Sequence, residues 1–147
     1  MQNRPFSPEV IFSSIPALLP YLLVTLEVGL ISILTGSILG MLLAWAKLSS
    51  NKVLRCVADG YTYVIRCTPS IVLLFIVFYG LPKWMEFAFA IDIDDLSRVV
   101  FVIITFTLLF GAYVSEVFRS AYLAVPKGQY EAAVTIGLSP LSAFIHV

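Results

Sequence analysis

Three apolar runs dominate the chain, over about residues 21–45, 61–81 and 99–120, with polar residues, glycine and proline gathered between them. Each reaches or approaches the roughly 20 residues that a helix needs to cross about 30 Å of hydrocarbon. None shows the short period-2 alternation of a membrane β-barrel strand. A helix satisfies its own backbone groups in lipid, so helix is the expected form of all three runs. Pro20 and Pro82 are expected at span ends, where a missing N–H does little harm. The predicted class is an all-α, polytopic transmembrane protein with three visible spans.

Composition strengthens this. Apolar residues make up 60% and charged residues 12% of the 147 positions, where a soluble domain carries about 25% charged residues. The mean hydropathy is +0.98. A formal net charge of zero gives no reason to expect a nucleic-acid partner. The opening MQNRPFSPEVIF has no basic stretch, apolar core and small-residue cleavage site in series, so it reads as mature protein.

Charge asymmetry sets the expected orientation. Lys47, Lys52, Arg55, Arg66, Arg119 and Lys127 flank one side of the spans, against Arg4, Lys83 and Arg98 on the other. The excess places the first loop and the C-terminal segment in the cytoplasm and the N-terminus outside. Cys56 and Cys67 then lie on the reducing side, where a disulfide is not expected. They form no C-x-x-C or Cys/His pair that would hold a metal. The segment KWMEFAFAIDIDD falls outside as a solvated loop, with Trp84, Phe87 and Phe89 as interfacial anchors. Its acidic run lacks the glycine and distal glutamate of a calcium loop.

Polar and small residues within the spans carry the remaining information. Ser32, Gly36 and Gly40 recur every fourth residue, a stripe that lets a second helix approach closely. Glu27 is the acidic residue clearly inside a span. It is either a carboxylate near the outer headgroups or part of a substrate path. In YVIRCTPSIVLLF, Pro69 breaks the helix ladder, Thr68 can satisfy freed carbonyls, and Arg66 brings charge to the break and can snorkel to the inner surface. The break suits a helix beside a pathway or a packing kink equally.

After span three, Glu116 and Arg119 are spaced to pair on one helix face. Pro126 and Gly128 are expected to break that helix. The short helix QYEAAVTI follows, with Glu131 in its early turn. Gly137 suits the left-handed position that ends it, and Ser139 with Pro140 starts another. A two-turn surface helix is marginal in water and needs a docking surface. Ala132 and Ala133 would let one come close.

These residues carry a resemblance. EAAVTIG is similar to the cytoplasmic-loop signature of permease subunits of bacterial ABC importers, whose following Ile-x-Leu-Pro would begin at Val147. AYVSEVFRSAYLAVPKGQYEAA, YVIRCTPSIVLLFIVFYGLP and VTLEVGLISILTGSILGMLLA resemble the polar amino acid uptake branch, serving substrates such as His, Gln, Glu and Arg. Cys67 stands where that branch usually has glycine. Members usually have about five spans, so the chain is expected to be an N-terminal portion, natural or truncated.

The resemblance implies an importer permease in the bacterial plasma membrane, with a coupling loop over 126–140. Gly128, Gln129, Glu131, Ala132, Ala133 and Gly137 would form the ATPase-coupling element. The implied partners are ABC ATPase subunits, a second permease subunit (same or paralogous) and a periplasmic or lipid-anchored amino-acid-binding protein. No cofactor is expected on the chain itself, since ATP would be bound by the ATPase. Two other classes compete with this reading. An intramembrane enzyme needs convergent catalytic groups, yet His146 is the single histidine and Glu27 has no acidic neighbour. A non-transporting fragment or regulatory partner of a permease is the other alternative.

Overall fold

A computed structural model describes residues 8–146, and within them every regular element is helical. Arg4, the extreme N-terminus and Val147, all used above, lie outside the described residues. The elements are α1 (Pro8–Leu48), α2 (Lys52–Cys67), α3 (Ser70–Phe75), a π-helical turn (Ile76–Gly80), α4 (Leu81–Phe89), α5 (Arg98–Ala124), α6 (Lys127–Thr135) and α7 (Pro140–His146). Among the described residues three segments are long and apolar enough to cross a membrane: Ser14–Leu48, Ser70–Phe89 and Arg98–Ala124.

The first helix is longer than its apolar run suggested. α1 has 41 residues and continues through Pro16 and Pro20, so Pro20 is interior rather than terminal. At 1.5 Å per residue it is about 60 Å long, roughly twice the hydrocarbon thickness. Membrane helices tolerate such prolines because nearby hydroxyls and neighbouring groups satisfy freed carbonyls. Pro16 and Pro20 leave the carbonyls of residues 12 and 16 without their usual N–H. The Ser14 and Thr25 hydroxyls separately back-bond to the Val10 and Tyr21 carbonyls four residues earlier.

The span expected over 61–81 is broken at Thr68–Pro69, where the proline predicted a break, and continues beyond its expected end to Phe89. Thr68 and Pro69 adopt extended dihedrals, as the residue before proline and a proline at a helix start both favour. The Thr68 N–H turns back to the Ile65 carbonyl at 3.2 Å, and its hydroxyl donates to Val64 at 2.8 Å. Pro82 has no N–H for the Phe78 carbonyl, and the turn ahead of it widens into π-helix. Residues 83–89, expected as loop, are helical. That helix ends at Ala90 in the left-handed region, φ 55°. The Asp92–Asp95 stretch beyond it is exposed or turn-forming, with the Asp94 N–H bonded to Asp92 Oδ1.

Pairwise contacts give the chain direction. Ser32 meets Ile103, Gly36 meets Thr107 and Phe110, and Gly40 meets Gly111 and Ser115, so α1 and α5 run parallel. Parallel neighbours require an intervening return path. The segment from α2 to the π turn provides it, with Tyr61 bonded to the Leu108 carbonyl and Phe78 edge-on to Phe101 at 5.3 Å. Leu73, Val77 and Phe101 form the buried apolar core of this return, flanked by Ile65, Phe78, Ile104 and Leu108.

Candidate functional site: a charged junction and a terminal helix pair

The α1–α5 seam is built from small residues on both sides. A Cβ on Gly36 would lie 3.1 Å from the Thr107 carbonyl oxygen and 2.9 Å from Phe110 Cδ1. One on Gly40 would lie 3.1 Å from the Gly111 carbonyl and would overlap Val114 Cγ1. Gly111 is equally crowded, 3.2 Å from the Gly36 carbonyl. Thr35 and Thr107 hydroxyls bond across the seam at 2.7 Å, and Ser32 is buried against α5. The α5 half of this seam, Thr107-x-x-x-Gly111-x-x-x-Ser115, repeats the α1 pattern and is legible in the sequence by the same rule.

At the end of the seam sits a junction of charges. Glu116 Oε1 accepts from Lys47 Nζ at 2.6 Å and lies 3.8 Å from Arg66 Nη1; its Oε2 accepts from Arg119 Nε at 3.0 Å. The expected Glu116–Arg119 spacing is thus joined by two cations from other helices. Lys47, counted in the sequence only as a loop charge, is buried and also donates to Ser115 Oγ at 3.3 Å. Its place was readable, since it follows Gly40 by seven residues and so shares the seam face. Arg66 lies over the Tyr113 ring, 5.4 Å from its centroid. A cavity of about 420 Å³ opens beside the junction, lined by Lys47, Arg55, Asp59, Glu116, Arg119 and Leu123.

Glu27 lies apart from this junction, exposed on α1, and no ion pair joins it to the described residues. The structure therefore does not gather Glu27 with Arg66, Thr68 and Pro69. Among the described residues no three His, Cys, Asp or Glu side chains cluster as a metal site would require.

Beyond α5 the chain turns at Val125–Pro126 and forms α6 and α7. Gly128 lies inside α6 rather than ahead of it, and Gln129 bonds back to the Pro126 carbonyl at 3.0 Å. Glu131 is the fifth residue of α6, two residues later than expected, so the helix dipole acts on it less. Gly137, φ 95°, ends the helix: its N–H reaches Val134 at 3.0 Å, and Leu138 N–H reaches Ala133 at 3.2 Å. This paired arrangement satisfies the last carbonyls and requires a left-handed residue. Ser139 caps α7 through the Ser142 N–H at 3.2 Å. Ala133 and Ala143 are buried where α6 and α7 pack on one another, so Ala133 serves this pair while Glu131 and Ala132 stay exposed. Tyr122 and Phe144, 6.2 Å apart, tie α7 to the end of α5.

Known proteins resemble this chain in sequence and in fold. The chain is 41% identical over 120 residues to the histidine/lysine/arginine/ornithine transport system permease protein HisQ of Salmonella typhimurium, covering 80% of this chain and 53% of that protein. It is 38% identical over 136 residues to the arginine transport system permease protein ArtQ of Bacillus subtilis, covering 92% and 58%. The L-cystine transport system permease protein TcyB of Bacillus subtilis is 41% identical over 115 residues, covering 78% and 46%. The chain thus spans about half the length of the curated relatives it matches. A crystal structure of an amino acid ABC transporter with histidines superposes with a TM-score of 0.76 at 27% identity, covering 97% of this chain and 63% of that one. Residues 36–147 match the family described as binding-protein-dependent transport system inner membrane component, and the chain belongs to that family.

Proposed function

We propose that the chain acts within a permease subunit that moves a polar amino acid inward across the bacterial plasma membrane. The observation that carries this reading is the α6–α7 pair. A short helix bearing Glu131 and Ala132 on its exposed side is closed by Gly137 and joined directly to a membrane helix. A two-turn helix of this kind gains little stability alone and serves as a docking knob. Its partner in this reading is an ABC ATPase subunit, which binds and hydrolyses ATP. Glu131 orients the knob, Ala132 admits the partner surface, and Gly128 and Gln129 set the start of the helix. A second permease subunit completes the path, and a periplasmic or lipid-anchored binding protein delivers the substrate.

The N-terminus lies outside and α6–α7 in the cytoplasm. Closure of the ATPase dimer moves α6, and α5 carries the movement into the membrane, so that the site opens alternately to each side. Glu27, Arg66, Thr68 and Pro69 border the path in this reading. The relatives' named substrates (basic amino acids, arginine and cystine) support a polar amino acid as cargo.

The test is uptake of labelled amino acids by the permease reconstituted with its ATPase and binding protein. Glu131→Lys or Gly137→Arg is expected to lower uptake at least about tenfold, the scale of an allosteric coupling. The amount of protein inserted in the membrane should stay unchanged. Uptake at the wild-type rate would overturn the coupling role.

A further inference from the structure

Three cations share the Glu116 carboxylate, and they share it unequally. Lys47 is 2.6 Å away with its side chain 1% exposed, and Ser115 takes a second bond from the same ammonium. That contact seals α1 to α5 at the end of the glycine seam. Arg119 belongs to α5 itself, so its bond fixes the rotamer of Glu116 and joins no helices. Arg66 arrives from α2, lies 3.8 Å away and is 44% exposed; the Tyr113 ring is its other support. Exposed ion pairs and exposed cation–π contacts are each weak. Arg66 is thus the contact that yields first.

Its position gives that weakness a use. Arg66 precedes the Thr68–Pro69 break, where Pro69 has no N–H and Thr68 already bonds locally to Ile65. Bending there breaks few backbone hydrogen bonds. Glu116 lies two turns from the end of α5, which Pro126 joins to α6 and Tyr122 ties to α7. A tilt of α6–α7 therefore acts on the turns that carry Glu116 and Tyr113.

We propose that Glu116 is a positioning residue with one fixed and one releasable arm: Lys47 locks α1 to α5, while the Arg66 contact with Glu116 and Tyr113 holds or frees the hinge at Thr68–Pro69. The hinge itself follows from the geometry; its use in transport rests on the permease reading above.

The two parts are tested separately. With Cys56 and Cys67 replaced by serine, spin labels at Val57→Cys and Ile76→Cys straddle the break, and labels at Leu42→Cys and Val117→Cys lie on either side of the seam near Lys47. All four positions are exposed. Distances are read on the chain in lipid nanodiscs, without partners. R66Q should widen the distribution across the break roughly twofold and leave the seam pair unchanged, as a population shift between hinge states requires. R66K keeps the charge but not the flat stacking on Tyr113, and should fall between. K47M should widen the seam pair instead. An unchanged break distance in R66Q, or equal widening of both pairs, overturns the releasable arm. In the complex with the ATPase, R66Q should lower amino acid moved per ATP by about fivefold; an unchanged ratio overturns the role in transmission. A wild type that moves no amino acid would overturn the permease reading, while the distance result would still decide the hinge.

Discussion

Glu116 and Lys47 form one ion pair, yet losing either partner has different consequences. The lysine side chain is 1% exposed and the glutamate 29%. Removing the carboxylate strands a buried ammonium with Ser115 as its remaining acceptor. Removing the ammonium leaves a carboxylate that still has Arg119 at 3.0 Å and access to water. Breaking a buried pair costs about 3 kcal/mol when the orphaned charge cannot be rehydrated. E116M, which removes the acceptor as well as the charge, is therefore expected to be destabilised by about that amount, and K47M by clearly less. Thermal unfolding in detergent checks the order, and equal losses would show that burial is not the deciding quantity. Lys47 also shows what a charge count conceals. In the sequence it is one of several basic residues marking a side of the membrane; in the fold it is a buried tether.

Between helices, the seam depends on the absence of side chains. Gly40→Ala places a methyl 3.1 Å from the Gly111 carbonyl, 3.2 Å from the Ser115 N and into Val114, so that Val114 must turn aside and the two backbones part slightly. Overpacking of this kind costs about 1–3 kcal/mol. Gly29→Ala on the same helix meets nothing within 4 Å and should be close to neutral. Comparing the two variants' unfolding temperatures separates seam packing from any general effect of glycine in α1. The seam was half legible beforehand, because the Ser32–Gly36–Gly40 stripe announces a close neighbour without identifying it. The break at Thr68–Pro69 was legible from Pro69, which cannot donate to the helix ladder. The start of α1 escaped, because proline stops helices in water far more reliably than in lipid. The terminal helices were read nearly as they are, since Gly137, Ser139 and Pro140 act locally and need no distant partner. Glu131 falls two residues later in α6 than expected because Pro126 alone starts the helix and Gly128 does not break it.

For the molecule as a whole, parallel α1 and α5 with a broken return between them fix an odd number of crossings from α1 to α5. Single cysteines in a background free of Cys56 and Cys67 test the sidedness. With a membrane-impermeant maleimide, Glu131→Cys should react from the cytoplasmic face alone and Asp94→Cys from the opposite face alone. Reaction of both from one face would contradict the three crossings. The seam also limits how the chain can change in length. Gly40 and Lys47 must both face α5, and a single residue inserted between them would turn the lysine by about 100° around the helix, away from Glu116. The stretch 41–46 is therefore closed to insertions and deletions even though most of it never touches the junction. Residues 49–51, which join two helices and cap the second, are free to vary in number. Drift among descendants of this gene should show up as loop-length differences at 49–51 and as a fixed interval between glycine and lysine.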